Sequence, residues 1–185
     1  MENSFFDQIF TKISSFQAAE YESCTFEHID FSDFSLKNCR FIDCVFRECQ
    51  LSNLPLQGVQ FQDVTFEKCK MMGLHFETCH SFGLSFRFSQ CRLEHSLFYG
   101  MNIKNTVFES CNLTEVDFSE ADLTGVQFTD SNLSGAIFDQ TNVEKADFRR
   151  AQNFQVNPFT NKLKKARFDR TNLVGLVTNF GIQID

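Results

Sequence analysis

The chain contains no tryptophan, and only two tyrosines and two prolines in 185 residues. It therefore has almost no aromatic side chains with a polar atom to satisfy, and few built-in backbone stops. No apolar run approaches the roughly 18 residues of a membrane span. The segment Met1–Ile13 carries acids early and lacks a basic stretch followed by a long apolar one. That pattern excludes a secretory signal, and we expect a cytoplasmic protein with reduced thiols. Bases are also scarce: 17 Lys and Arg against 24 Asp and Glu give a net charge of −7 and a pI near 5.1. This balance disfavours electrostatic binding to nucleic acid or anionic membranes and favours a partner with a basic surface.

Against these absences stand 25 phenylalanines and eight cysteines, with a hydrophobic content of 42% and a mean hydropathy of −0.23. Such a chain folds around a core and is not disordered. So much Phe points to one slot shape used repeatedly.

The slot emerges on a five-residue frame. From Phe16 the frame runs Tyr21, Phe26, Phe31, Leu36, Phe41, Phe46, Leu51, Leu56, Phe61, Phe66, Met71 and Phe76, then Ser81 and Phe86. After a two-residue slip it resumes at Leu93, Phe98, Ile103, Phe108, Leu113, Phe118, Leu123, Phe128, Leu133, Phe138, Val143 and Phe148. Only Ser81 is polar. In the second half, aliphatic residues alternate with Phe. A period of five matches neither a helix nor a strand, so the chain must turn once per repeat.

A second register supports this. All eight cysteines (24, 39, 44, 49, 69, 79, 91 and 111) lie two residues before a frame position, where later repeats place Ala121, Ala136, Ala146 and Ala151. Each unit thus has two inward and three outward residues. A single unit cannot bury its own apolar face, so the units must stack as a solenoid.

This pattern, small–polar–large–polar–polar, resembles the pentapeptide-repeat family. The resemblance runs from about Phe16 to Ala151 and implies an all-β solenoid, a right-handed quadrilateral β-helix of about seven coils with four repeats in each. At an inter-strand spacing of about 4.8 Å, such a rod is about 32 Å long. Residues twenty apart would stack in columns, with Cys as a small buried hydrophobe beside the Phe column.

The ends depart from the frame. Phe5, Phe6, Ile9, Phe10 and Ile13 fall at helical spacing, which predicts a capping helix within residues 1–15. The stretch His80–Phe88 predicts a bulge or corner loop. Residues 152–185 are read as a loop with a turn at Asn157–Pro158 and a few final repeats. A terminal helix follows, with Leu173, Leu176, Val177 and Phe180 apolar, Gly181 at its end and a short tail at 182–184.

No residue set points to catalysis. The cysteines lack zinc-binding spacing and a matched His pair, and the four histidines (His28, His75, His80, His95) have no nucleophile at a neighbouring outward slot. There is no phosphate-cradling Gly-rich loop. We expect a protein that is not an enzyme and uses no cofactor or metal.

Charge is the informative outward feature. Between Asn105 and Asp147 lie Glu109, Glu115, Asp117, Glu120, Asp122, Asp130, Asp139, Glu144 and Asp147, against the single base Lys145. Arg149, Arg150, Lys162, Lys164, Lys165, Arg167 and Arg170 then reverse the sign, with only Asp169 among them. A solvated face that keeps a solenoid soluble is one reading. The other is a surface that imitates duplex DNA.

The second reading follows from a resemblance to the quinolone-resistance and microcin B17 immunity members of the family, in length, Cys- and Phe-rich early coils and the C-terminal Asn-Pro loop. That resemblance implies binding to DNA gyrase or topoisomerase IV through the nine acids, and homodimerisation through Leu173, Leu176, Val177 and Phe180. DNA of about 32 Å carries about nineteen phosphate charges. Residues 19–153 carry 20 acids and 11 bases. One rod therefore has about half the charge density of DNA, and a dimer would mimic it better. The long projecting loops of many quinolone-resistance members are absent. A scaffold for some other protein is the alternative.

Overall fold

The computed structural model describes residues 3–182. The chain winds as a β-solenoid whose parallel rungs fall into four ladders. We number the sides in chain order. Side one begins with β1 (Ser4–Phe6), β3 (Glu20–Glu22), β5 (Arg40–Ile42) and β7 (Gln60–Gln62), and resumes as the bridges Asn102↔Asp122↔Asn142↔Lys162. Side two joins β2 (Ile9–Phe10), β4 (Thr25–Glu27), β6 (Val45–Arg47), β8 (Val64–Glu67), β9 (Phe86–Ser89) and β10 (Val107–Glu109) in one six-stranded sheet. Side three runs Asp30↔Gln50↔Lys70↔Arg92↔Asn112↔Asn132↔Gln152, and side four runs His75↔Leu97↔Asp117↔Ile137.

The corners follow from backbone chemistry. The residue two after most frame positions lies in the left-handed region, as at Asn38 (φ 62°), Glu120 (φ 59°) and Gly125 (φ 74°). At many corners the next residue donates back to the frame carbonyl, as Cys39 N to Leu36 O (2.9 Å) and Ala121 N to Phe118 O (3.1 Å). A positive φ at the third residue is the type II turn pattern, which Gly, Asn and Asp adopt most cheaply.

Inside, the frame residues form the core. Phe26, Phe46, Phe66, Phe88, Phe108, Phe128 and Phe148 are buried on side two, and Phe76, Phe98, Phe118 and Phe138 on side four. Rings stack along each column, as Phe88 on Phe108 (5.0 Å) and Phe98 on Phe118 (5.4 Å). The two columns meet edge to face across the interior, as Phe108 with Phe118 at 5.9 Å. The aliphatic columns Leu93–Leu113–Leu133 and Ile103–Leu123–Val143 are buried on sides three and one. Alternation of Phe and aliphatic residues thus builds one herringbone of aromatic rings with aliphatic flanks.

The cysteine slot does more than fill space. Cys44, Cys49, Cys69 and Cys91 donate their thiol hydrogens to the carbonyls of Tyr21, Phe26, Phe46 and Phe66 one coil earlier, at 3.2–3.3 Å. Ser131, Thr141, Asn161 and Asn172 donate to Phe108, Phe118, Phe138 and Phe148 in the same way. A donor in the slot thus ties one coil to the last, whereas Ala121, Ala136, Ala146 and Ala151 fill it by volume alone.

The N-terminal helix expected within residues 1–15 is replaced by strands. Phe5 and Phe10 are themselves five apart and point inward, stacking on Tyr21 and Phe26 at 5.0 Å. Asp7 supplies the left-handed corner between them (φ 52°). The step from Phe5 to Tyr21 is 16 residues rather than 20, so this coil lies one residue off the frame of Phe16. At the mid-chain slip, Ser81, Phe82 and Gly83 are exposed, and Phe86 fills the missing core position by packing on Phe61 (5.6 Å). At the C-terminus the apolar segment forms 3-10 turns, Arg170–Leu176 and Thr178–Phe180, rather than an α-helix. Gly181 follows in the left-handed region. Most of the expected tail lies outside the described residues.

Candidate partner-binding surface

Stacking at steps of twenty redistributes the acidic stretch around the rod. Asp117 and Asp139 stand on side four, with Glu115 at the corner before it, Glu120 at the corner after it and Asp122 just past that on side one. Successive levels bring these five together, as in the Glu120 N to Asp139 O bond of 2.8 Å. Glu144 lies on side one above Thr124 and Asp122. Glu109, Asp130 and Asp147 belong to side two.

The two groups differ in how they are neutralised. On side two, Arg150 clamps Asp130 from one coil above, while Asp147 holds Arg149 (2.6 Å) and Arg167 (3.5 Å). Arg149 is the main reason that Asp147 sits below the usual carboxylate range. The basic segment is thus the neutralising end of side two, with Lys162, Lys164 and Lys165 topping side one. On side four, Asp117, Glu120 and Asp139 join no ion pair among the described residues. At its edges, Glu115 meets His95 at 3.2 Å and Asp122 meets Lys104 at 3.0 Å. Partial burial works to raise Asp122, but hydrogen bonds from Thr124 and Lys104 bring it below the carboxylate norm.

Earlier coils carry alternating charges instead. Arg47 lies between Glu27 and Glu67, and Arg40 pairs with Glu20. His28 and Glu48 meet at 3.3 Å, and Lys68 reaches Glu48 at 3.8 Å. Such ladders pin the register, although residues 16–83 still carry ten acids against five bases.

The C-terminal end presents a separate apolar face. Leu173 and Phe180 are exposed, together with Val174, Ile182 and Phe159, which the sequence reading did not single out. Phe159 meets Phe180 edge to face at 5.6 Å. Leu176 packs against the core instead, and Val177 is half-buried. The eight cysteines are free thiols, seven of them buried. Among the described residues, no group of three or more His, Cys, Asp or Glu is placed to hold a metal ion, and no helix is long and apolar enough to cross a membrane.

Two solved structures are similar over nearly their whole length. Both are trypsin-treated forms of QnrB1, a plasmid-mediated fluoroquinolone resistance protein. They match with TM-scores of 0.66 and 0.61 at 15% and 16% identity, each covering 98% of this chain and 97% of the other. At such identities the likeness shows the fold alone. A comparison with curated protein sequences finds no match. Pentapeptide repeats match in three stretches: nine copies over residues 5–70, a repeat region over 40–109 and eight copies over 111–150. The frame, the stacked ladders and these matches agree, and the chain belongs to the pentapeptide-repeat family.

Proposed function

We propose that this protein is a non-catalytic binder of a type II topoisomerase, DNA gyrase or topoisomerase IV, which it protects from quinolones or peptide toxins by presenting a DNA-like surface. The observation that carries this reading is side four of a QnrB1-like solenoid, where Asp117, Glu120 and Asp139 cluster on two adjacent levels without a cation partner among the described residues. Asp117 and Glu120 share one level and Asp139 lies on the next, so carboxylates on two levels about 4.8 Å apart form a patch of negative charge that a DNA-binding groove can accept. In this reading the coil is right-handed and quadrilateral, with about seven turns across residues 16–151, and the protein works in the cytoplasm. The apolar C-terminal face of Leu173, Val174 and Phe180 joins two rods end to end, which doubles the length of the mimic.

A supercoiling assay tests it. Purified protein is expected to restore gyrase supercoiling in the presence of a quinolone or microcin B17, or to inhibit gyrase alone. No effect at tens of micromolar removes this reading in favour of a scaffold for another protein. The arginines along side two favour that alternative, because they confine the acidic surface to part of the rod.

A further inference from the structure

Side four carries a second feature besides its charge. Between the loop at Phe82 and the turn at Phe159, the large apolar side chains exposed among the described residues are Tyr99 (46%) and Ile137 (50%). Both belong to side four, on ladders two levels apart with Asp117 and Ser119 between them. Leu97, half-buried beneath Asp117, continues the strip toward His75. Glu115, Glu120 and Asp139 flank it and Asp117 lies within it, and Glu120 and Asp117 raise the pKa of the Tyr99 phenol. Elsewhere, exposed large apolar groups gather at the two ends and the loop.

We infer that side four is a protein-docking face in which Leu97 and Tyr99 on one level and Ile137 two levels on are apolar anchor points on either side of Asp117, with Glu115, Glu120 and Asp139 as the rim. It takes a partner whose basic side chains flank an apolar patch. A nucleic acid is repelled by the rim, and a groove built only for phosphates has no use for Ile137. Tyr is enriched at the buried centre of interfaces, while charged side chains at the edge act on association rate and orientation. This inference rests on the topoisomerase reading and makes it more specific: the mimic is held partly by burial of Tyr99 and Ile137, so part of its affinity is insensitive to salt.

The experiment measures binding of purified gyrase to the full chain from low to high salt, for the wild type, Tyr99→Ser/Ile137→Thr, and Phe82→Ser as an exposed control on the loop. Both anchor residues are half-exposed, so folding is checked by an unchanged melting transition. The double variant is expected to bind at least about tenfold more weakly at every salt concentration, with an unchanged salt slope, while Phe82→Ser binds like the wild type. Equal affinity of the double variant and the wild type overturns the anchor but leaves the topoisomerase reading intact. A lower solution mass of the double variant with gyrase affinity retained assigns the strip to self-association and also overturns it. No binding by the wild type overturns both.

Discussion

Phe88 and Phe108, one coil apart on side two, stack with centroids 5.0 Å apart and planes within 1° of parallel. Phe66 lies below at 5.3 Å and Phe128 above at 5.5 Å, so the pair forms the middle of a continuous aromatic column. Phe108→Ala removes contacts to both neighbours and to Phe98 and Phe118 across the interior. We expect a loss of about 3–5 kcal/mol by urea unfolding, compared with under about 0.5 kcal/mol for Phe82→Ala at the exposed loop.

The buried thiols give the fold a pH limit on the alkaline side. The Cys44 thiol is pushed up to about 12, first by burial. Cys69 also reaches about 12, where the opposing effect of its hydrogen bond with Cys49 is outweighed by Cys91 and by burial. A thiol whose pKa is raised on folding favours the native state fully below its unfolded value of about 8.5–9. That advantage is lost as pH rises toward 12. The melting temperature is therefore expected to be flat between pH 7 and 8.5 and to fall above pH 9, and Cys44→Ser should shallow the fall. Thiol-reactive dye at pH 8 should label the native protein far more slowly than the urea-unfolded chain.

Gly175 closes the C-terminal end. A β-carbon there would clash with the Phe154 carbonyl oxygen and ring, and Gly175 O accepts from Val156 N. Gly175→Ala must lift the 3-10 turn off the last coil. Limited proteolysis is expected to remove residues after Arg170 from the variant much faster than from the wild type, with little effect on the early coils.

Association at that end separates two neighbouring residues. Leu173 is exposed and Leu176 packs on the core. If two rods join there, Leu173→Asp halves the mass seen by light scattering while the melting temperature holds. Leu176→Asp lowers the melting temperature as well.

The sequence revealed the interior more readily than the surface. Inward residues repeat every five positions, so Phe and Cys disclosed the core without any knowledge of the coil. Phe5 and Phe10 were misread because a coil shortened by four residues displaced them by one from the frame, leaving only a chance helical spacing. The acids were read as one linear stretch, whereas neighbours in sequence occupy different sides. The step of twenty, applied to the core columns, regroups the surface as well: Asp130 to Arg150 and Asp147 to Arg167 are each one coil apart, which is why both pairs neutralise each other. Tyr99 and Ile137 broke no rule of the repeat, so only their exposure on a shared side drew attention to them.

The account rests on one side of the rod, and a paired charge reversal in quinolone-inhibited gyrase supercoiling tests it most directly. Asp117→Lys/Glu120→Lys/Asp139→Lys places three cations on side four; Asp130→Lys/Asp147→Lys places two on side two, where arginines already cancel the acids. Protection should be abolished by the first variant and retained by the second, with both still folded by circular dichroism. Protection that survives the side-four reversal, or that is lost equally in both variants, contradicts the account.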